Sequence, residues 1–385
     1  MNRPLLLTLS AVMLSSLLAG FAAAGDRSLV YFGCYTTQKS GSKGILVAEF
    51  NSATGALTQP VLAAGSMDSP SFLALSPDGK FLYSAGESGT PDHKSGDISA
   101  FRISLPDGKL SKLNEVSSVG SGPCHVSLDL TGRMVMTANY GGGSVASYGV
   151  GPDGKLSPAV TFVQHSGSGA NPGRQEGPHA HSMNVTPDNR FALCCDLGLD
   201  KVIIYKIDPA TGKMTAHGET GLAPGTGPRH LAFHPNGKFA FVNGEMAMNA
   251  VTLAYDAEKG TLTETGSAST LPPEDRDKKG LSTAETAVHP NGRFVYVSNR
   301  THDTIAVFSC DPATGQLTLV QNAPAEGEIP RNFRIDPSGR WMIVAHQDSN
   351  SAAVFKIDAD TGKLTFTGTK VKAGGAVCVR FLPVD

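Results

Sequence analysis

Five residues have side chains and spacing suited to acid–base chemistry on an anion: His181, Arg229, Glu245, Arg300 and Arg331. Arginine binds carboxylate and phosphate groups through two parallel hydrogen bonds. A histidine and a glutamate can take up and return a proton at a reacting group. The set therefore predicts an anion-binding cavity with a built-in acid/base pair. Salt bridges between neighbouring repeats are the purely structural alternative.

These residues belong to a repeated unit, which must hold them in place. Each unit contains an alternating apolar run, a turn of the Pro-Asn-Gly type and a second alternating run. Asn-Gly or Asp-Gly between two such runs is a strong signal of a β-hairpin. The six copies occupy residues 69–87, 122–140, 177–196, 227–245, 282–300 and 329–347.

A second kind of turn, ending in glycine, follows one strand later. It recurs seven times, at Gly55, Gly108, Gly154, Gly212, Gly260, Gly315 and Gly362. Six turns of the first kind and seven of the second indicate a ring in which the last strand (375–383) pairs with the first (28–36). The sequence therefore predicts an all-β fold over residues 25–385, a seven-bladed β-propeller with four-stranded antiparallel blades. Closure by the two chain ends removes the exposed sheet edge.

Two positions of each unit are predicted to meet at one rim of the central channel. The start position lies six residues before the turn residue, and the end position lies ten residues after it. Because the two strands are antiparallel, both positions belong to the same rim. Counted from Pro77, Leu130, Pro187, Pro235, Pro290 and Pro337, the start positions hold Ser71, Cys124, His181, Arg229, Ala284 and Arg331, and the end positions hold Glu87, Tyr140, Leu197, Glu245, Arg300 and Gln347.

Two long loops precede innermost strands on the side of this rim, at 164–177 and 266–280. Loops of this length in a compact repeat are usually functional or disordered. We expect them to form walls of the pocket.

Other kinds of site have weaker sequence support. His179 and His181 form an H-x-H pair, which also suits a metal, with His125, Cys124 and Glu245 as candidates for a third ligand. No third ligand is evident, so we expect no metal and no dissociable cofactor. The sequence has no G-x-S-x-G turn for a serine nucleophile. The run 141–143 precedes a strand, unlike a phosphate loop that opens a helix.

Composition and the first residues bound the partners and the location. The formal net charge is -2 and no basic run occurs, which argues against nucleic-acid binding.

Residues 1–24 combine Arg3, an apolar run and the small residues at 22–24, which predicts a signal peptide. We expect an exported, periplasmic or secreted monomer with no membrane span. The six cysteines show no C-x-x-C spacing, so we expect free or structural thiols.

Four motifs in order resemble the seven-bladed lactonase family: GPHAH (177–181), GPRH (227–230), VNGE (242–245) and SNR (298–300). ANYGGGSV (138–145) and DLGLDKV (196–202) are also similar, so the resemblance spans the mature chain. The family includes propeller-type 6-phosphogluconolactonases and fungal carboxy-muconate cyclases. One departure is Gly244 where members usually carry Asn, with Asn243 one place earlier. One residue is also added between Glu245 and Val251.

The resemblance implies a hydrolase that opens a sugar-acid lactone, with an anionic small molecule as substrate. It assigns catalysis to His181, Arg229, Glu245 and Arg300. We expect substrate binding by His179, Arg331, His125 and Tyr140.

In the implied mechanism an arginine stabilises the oxyanion of the lactone carbonyl. Either Glu245 or His181 activates water, and the other protonates the leaving alkoxide. The nearby arginines should keep Glu245 ionised, which favours it as the base.

Two other functions remain open. One is cycloisomerisation of a carboxylated muconate, and the other is a non-catalytic ligand-binding or scaffold propeller. Export also weighs against a phosphorylated sugar lactone, because phosphorylated intermediates of sugar oxidation are usually cytoplasmic. A free aldonolactone or another lactone is then the expected substrate.

Overall fold

The computed structural model describes residues 26–88 and 95–384. The predicted signal peptide at 1–24 lies outside the described residues. Within those ranges the chain forms 29 strands and two short 3-10 helices, at Leu197–Leu199 and Pro273–Asp275. None of the helices described there is long and apolar enough to cross a membrane.

The strands follow one another in regular groups of four along most of the chain. The N-terminal group contains β1 (Arg27–Cys34), β2 (Gly44–Asn51), β3 (Ala56–Leu57) and β4 (Val61–Gly65). The next three groups are β5 (Pro70–Leu75), β6 (Phe81–Gly86), β7 (Asp97–Ser104), β8 (Lys109–Ser117); β9 (Pro123–Leu128), β10 (Met134–Asn139), β11 (Ser144–Val150), β12 (Leu156–Gln164); and β13 (Ala180–Val185), β14 (Phe191–Asp196), β15 (Lys201–Asp208), β16 (Lys213–Gly221). The remaining strands are β17 (Pro228–Phe233), β18 (Phe239–Gly244), β19 (Asn249–Asp256), β20 (Thr261–Ser269); β21 (Ser282–Val288), β22 (Phe294–Arg300), β23 (Thr304–Cys310), β24 (Leu317–Pro324); and β25 (Pro330–Ile335), β26 (Trp341–His346), β27 (Ser351–Ile357), β28 (Leu364–Lys372) and β29 (Ala376–Val384).

Blades one to six are the sheets β5–β8, β9–β12, β13–β16, β17–β20, β21–β24 and β25–β28, each antiparallel and ordered from the channel outwards. Blade seven combines both chain ends, because β29 pairs with β1 from Arg27↔Val384 to Cys34↔Ala376. The innermost strands of neighbouring blades contact each other around the whole ring, and β29 contacts β5. The predicted seven-bladed propeller with its closing pair of terminal strands is therefore confirmed.

Blade seven differs from the others in its outer edge. Both β3 and β4 pair with β2, so the fourth strand is split in two. Pro60 lies in the gap. Proline has no backbone N–H to donate to the ladder, so the pairing stops there and resumes at Val61.

The turns have the backbone geometry that the glycine pattern predicts. All seven glycines of the second turn have φ between 65° and 85°. In the first turn of blade three, Asn189 takes the left-handed conformation (φ 56°) that glycine adopts in blades one, two, four, five and six. Asparagine is among the few residues that tolerate this conformation.

Hydrogen bonds from buried hydroxyl groups lock neighbouring blades together. In five places a side chain of one blade donates to the carbonyl of the second-turn glycine in the next blade. The pairs are Tyr31–Gly108 (2.9 Å), Tyr83–Gly154 (3.1 Å), Ser147–Gly212 (2.8 Å), Thr252–Gly315 (3.0 Å) and Tyr296–Gly362 (2.9 Å). Most of these groups are fully buried, so each satisfied hydroxyl fixes the spacing between two blades.

A β-bulge interrupts the pairing of the first and second strands in every blade. Adjacent rungs of each ladder skip one or two residues of the innermost strand, and the skipped residues include Ser71, Cys124, His181, Arg229, Ala284, Arg331 and Val377. Six of these are the start positions of the sequence repeat, and Val377 is the seventh. A bulge places two residues opposite one and re-aims a side chain. It allows consecutive residues, such as Arg229 and His230, both to face the channel.

Candidate active site

The start and end positions lie side by side at one end of the channel. The end residue of a blade donates its backbone N–H to the carbonyl two residues before the start residue. This occurs for Glu245 and Gly227 (2.8 Å) and for Tyr140 and Gly122 (2.8 Å). The antiparallel hairpin and the bulge thus bring both positions of each blade to the rim.

Glu245 is the centre of a buried ion cluster at this rim. Its Oε2 accepts hydrogen bonds from Nε of Arg229 at 2.9 Å and forms an ion pair with Arg300, also at 2.9 Å. Its Oε1 accepts a hydrogen bond from Arg174 at 2.7 Å. The Nε2 of His181 lies 3.9 Å from Oε2. The structure therefore brings together the four residues that the sequence assigns to catalysis.

The three guanidinium groups determine the charge state of Glu245. Burial alone raises the pKa of a carboxyl group, but Arg300, Arg229 and Arg174 outweigh it and lower the pKa of Glu245 to about 2. Burial lowers the pKa of Arg300 to about 10, partly offset by Glu245. At neutral pH the site thus holds an ionised carboxylate and protonated arginines.

His181 is a neutral imidazole in this setting. Burial, then Arg229 and His230, hold its pKa well below 6.5. Its ring lies edge-on to Tyr140, with centroids 5.2 Å apart, and to His230 at 5.4 Å. Cys124 donates its thiol to the His181 carbonyl at 3.3 Å. Because burial raises the pKa of Cys124, the thiol stays protonated and braces the histidine.

Arg331 reaches the rim from blade six beside residues of blades one and seven. Its guanidinium lies 5.4 Å from the centroid of the Tyr35 ring, and the Tyr35 hydroxyl donates to Glu87 at 2.9 Å. Burial opposes its charge, but Tyr35, Glu87 and Glu245 raise the pKa of Arg331 overall. It therefore keeps a full positive charge next to the Glu245 cluster.

Sequence reasoning missed Tyr35. It is the end position of blade seven, since its N–H donates to the Gly375 carbonyl at 2.9 Å as the other end residues do. Blade seven has no first turn from which to count. The signal was available by continuing the offset from the last strand into the first.

Sequence reasoning also missed Arg174, although it lies in the loop 164–177 that was expected to form a pocket wall. Besides Glu245, it reaches the Tyr140 hydroxyl at 3.4 Å. Its side chain is 44% exposed, whereas those of Arg229 and Arg300 are 3% and 13% exposed. Arg174 is thus the accessible member of the three arginines on Glu245. The second loop reaches the rim through Asp275, which pairs with His302 at 2.8 Å.

Buried polar atoms at the rim lack partners. Ser71 Oγ, Arg300 Nε and Gln347 Oε1 have no hydrogen-bond partner among the described residues. All three belong to start or end positions. The space between Ser71, His181, Arg229 and Arg331 is about 10 Å³, enough for about one water molecule.

Known proteins share this architecture. A model of the family described as "Lactonase, 7-bladed beta-propeller" matches residues 29–381. The chain belongs to this family. It is 38% identical over 308 residues to a 6-phosphogluconolactonase of Bacillus subtilis, covering 80% of this chain and 84% of that protein.

Solved structures support the same assignment. A periplasmic gluconolactonase of Pseudomonas aeruginosa superposes with a TM-score of 0.86 at 31% identity, covering 93% of this chain and all of that one. A putative 6-phosphogluconolactonase of Bacteroides fragilis gives a TM-score of 0.85 at 33% identity, covering 93% and 98%.

The departure from the family pattern at Gly244 has a steric cause. A β-carbon there would lie 2.9 Å from Thr226 Cγ2 and would also meet the Asn249 amide. Asn243 instead holds the neighbouring blade, donating to Thr283 Oγ1 at 2.8 Å. The residue that is added between Glu245 and Val251 relative to the family pattern leaves the connection from β18 to β19 as long as in other blades of this chain. β19 begins four residues after the end position, as the third strand does in blades two, three, five and six.

Tyr140 and His179 form the outer part of the rim. Their rings stack with centroids 4.6 Å apart, and His179 Nδ1 donates to the Tyr140 carbonyl at 2.9 Å. The other nitrogen of His179 lies 3.5 Å from Glu176.

The two histidines of the H-x-H pair both lie beside Tyr140, with ring centroids 4.6 Å and 5.2 Å from the centroid of its ring. Within 26–88 and 95–384, no group of three metal-ligating side chains is placed to hold an ion. All six cysteines of the chain lie within these ranges, and each is a buried free thiol.

His125 does not lie with the other expected substrate-binding residues. It comes one residue after the start position Cys124, and its ring packs on Phe72 with centroids 4.1 Å apart and the planes tilted by 33°. It lines the channel below the rim rather than the rim itself. The reason is the bulge, which turns Cys124 to the rim and His125 to the layer beneath it.

Proposed function

We propose that the chain is a lactonase, a carboxylic ester hydrolase that opens a sugar-acid lactone at this rim. One observation carries the proposal: an ionised Glu245 lies among three arginines beside the neutral imidazole of His181. A neutral base next to several fixed cations suits addition of water to a carbonyl group. The 6-phosphogluconolactonase and gluconolactonase relatives favour the same reaction class.

His181 is the better general base of the pair. The carboxylate oxygens of Glu245 are already engaged by Arg229, Arg174 and Arg300, so Glu245 is a poor proton acceptor. A neutral imidazole accepts a proton from water at Nε2. Glu245, 3.9 Å away, then stabilises the imidazolium that forms. This reverses the preference for Glu245 as base, and the reason is the number of arginines on its carboxylate.

The reaction then proceeds in two steps. Water loses a proton to His181 while its oxygen bonds to the lactone carbonyl carbon, and the electron pair of the C=O bond moves to the oxygen. Arg229 and Arg300 stabilise that oxyanion. When the tetrahedral intermediate collapses, the ring C–O bond breaks and His181 returns its proton to the leaving alkoxide. The product is an open-chain hydroxy acid.

An anionic group on the substrate would be bound by Arg331 and Arg174. Arg331 has no hydrogen-bonded carboxylate of its own among the described residues, and Arg174 is accessible from solvent. Both can hold a carboxylate or phosphate through paired hydrogen bonds. We further propose that residues 1–24 direct the protein out of the cytoplasm, where an unphosphorylated aldonolactone is the available substrate.

The test is acid release in a pH-stat by the mature protein on glucono-1,5-lactone, its 6-phosphate and muconolactone, corrected for spontaneous hydrolysis. The surface variant Arg190→Gln is the matched control for Arg229→Gln. Enzymatic release that the control retains and Arg229→Gln loses supports the proposal. Release confined to muconolactone would favour the muconate cycloisomerase chemistry. No release on any lactone, with Arg229-dependent binding of an anion, would favour a ligand-binding propeller.

A further inference from the structure

A second cavity occupies the end of the channel opposite the rim. Its volume is about 800 Å³, and it is lined by the later residues of all seven innermost strands. A layer of rings separates it from the rim pocket. Phe72 packs on His125 with the planes tilted by 33° and meets His230 edge-on with centroids 5.5 Å apart. Phe72 and His230 line both spaces.

Two arginines of neighbouring blades face this cavity at the same level. Arg334 lies three residues after Arg331, and Arg380 lies three residues after Val377. Arg331 and Val377 are the bulge residues of blades six and seven, so both arginines occupy equivalent places. The matching places in the other blades hold the uncharged residues Ala74, Ser127, Asn184, Ala232 and Ala287.

Neither arginine has a carboxylate partner among the described residues. Arg380 donates to the adjacent Val379 carbonyl at 2.7 Å and lies over the Phe72 ring at 4.6 Å. Arg334 makes no hydrogen bond through its side chain in the described part of the chain, and solvent reaches it from the channel mouth. The surrounding channel walls, and after them the like charge of Arg380, lower the pKa of Arg334.

The acids that line the cavity are already engaged. Glu285 pairs with His230 at 3.0 Å and with the Asn332 amide. Asp129 accepts the backbone N–H groups of its own turn at Arg133 (2.7 Å) and Met134 (2.8 Å). Asp336 does the same for Trp341 (2.8 Å). The hydroxyl groups of Ser127 and Thr286 line the cavity and have no partner in the described residues.

We propose that this cavity binds a small anion, a phosphate or carboxylate group held between Arg334 and Arg380. Two neighbouring guanidinium groups, neither of which is hydrogen-bonded to a carboxylate of the described residues, match the two oxygens of such a group, and a low-dielectric wall strengthens the attraction. The hydroxyl groups of Ser127 and Thr286 add neutral donors nearby. The site is separate from the rim and does not depend on the reaction proposed there.

The experiment is calorimetric titration of the mature protein with inorganic phosphate and with succinate, in a cationic buffer at low ionic strength. We expect R334Q/R380Q to bind at least about tenfold more weakly at one site, because charge-assisted hydrogen bonds are lost. Lactone turnover at the rim should stay within twofold of wild type. The control R102Q/R190Q removes the same number of charges. Both of its arginines lie over phenylalanine rings, as Arg380 does, but on the outer surface.

Unchanged binding in R334Q/R380Q, or an equal loss in R102Q/R190Q, overturns the proposal. A preference for phosphate over succinate identifies the group, and the reverse preference points to a carboxylate. Wild-type crystals soaked in selenate provide a check that needs no variant. An anomalous peak within hydrogen-bond distance of both guanidinium groups supports the site, and a cavity without such a peak overturns it.

Discussion

The Nε of Arg229 lies 2.9 Å from Oε2 of Glu245, and the two residues are the start and end positions of blade four. Sixteen residues separate them in every repeat, since one lies six before the turn residue and the other ten after it. In each of the other blades at most one member of this pair is charged. In blade four it is a buried ion pair, to which His181, Arg300 and Arg174 are added from neighbouring blades and a loop. The site is thus a local elaboration of a position that the propeller repeats seven times.

His181→Ala should lower kcat for the best lactone by about 10²–10⁴-fold, because it removes the proposed general base. KM should change much less, since the imidazole binds no anionic group. The measurement is steady-state hydrolysis in the pH-stat. His217→Ala is the matched control, because it removes a histidine of β16 that bonds the Lys259 carbonyl at 2.7 Å and has no part in the rim. Equal losses in both variants would mean that His181 has only a structural role.

Glu245→Gln should also lower kcat by about 10²-fold or more, since the imidazolium at His181 loses its counter-charge. It should in addition destabilise the fold by about 3–5 kcal/mol, because buried arginines lose their partner. Urea unfolding followed by fluorescence of Trp341, the single tryptophan, measures the second effect. Glu219→Gln, which breaks an exposed pair with Lys201, is the control and should cost less than about 1 kcal/mol. Full activity in Glu245→Gln excludes the proposed role.

Arg174→Gln should raise KM for an anionic lactone about tenfold and leave KM for a neutral lactone nearly unchanged. The reason is that Arg174 is the accessible arginine over the pocket and would bind the charged group of the substrate. Comparing glucono-1,5-lactone with its 6-phosphate measures the difference. Arg276→Gln, in the other long loop, is the control. Equal effects on both substrates would assign Arg174 to holding Glu245 instead of selecting the substrate.

Repeat spacing predicted the ring, its closure and the positions of the rim residues, because glycine turns and strand periodicity depend on local sequence. It did not predict the bulges, since these depend on how two strands pair. That is why His125, which was expected to bind substrate, lies below the rim. Arg174 was missed because its contact with Glu245 depends on the path of a loop between blades. Tyr35 was missed because its blade contains both chain ends.

The free energy of unfolding should fall as the pH is lowered from 7.5 to 5.5. Burial lowers the pKa of His125, His181 and His230 in the folded protein, so the unfolded chain binds protons first as pH drops through about 6.5. Each such histidine contributes a slope of up to about 1.4 kcal/mol per pH unit. Glu245 adds to the loss only at lower pH, between its ordinary pKa and about 2.

Urea unfolding at several pH values measures this dependence. His125→Asn should reduce the slope by about one proton, whatever it does to stability at pH 7.5. A free energy that stays constant between pH 7.5 and 5.5 would mean that these histidines titrate normally in the folded protein.

Gly244→Ala should destabilise the protein by about 2–4 kcal/mol. A β-carbon at this position would lie 2.9 Å from Thr226 Cγ2 and 3.0 Å from the Thr226 carbonyl oxygen, in a rim with no space to relax. The backbone beside Glu245 would have to shift, so kcat should fall as well. Gly218→Ala is the matched control, because it also lies in a strand, β16, and its added β-carbon would meet nothing within 4 Å. Urea unfolding of the two variants gives the comparison. Equal stability would show that blade four accommodates a side chain at residue 244, and the asparagine common in the family should then be tolerated there.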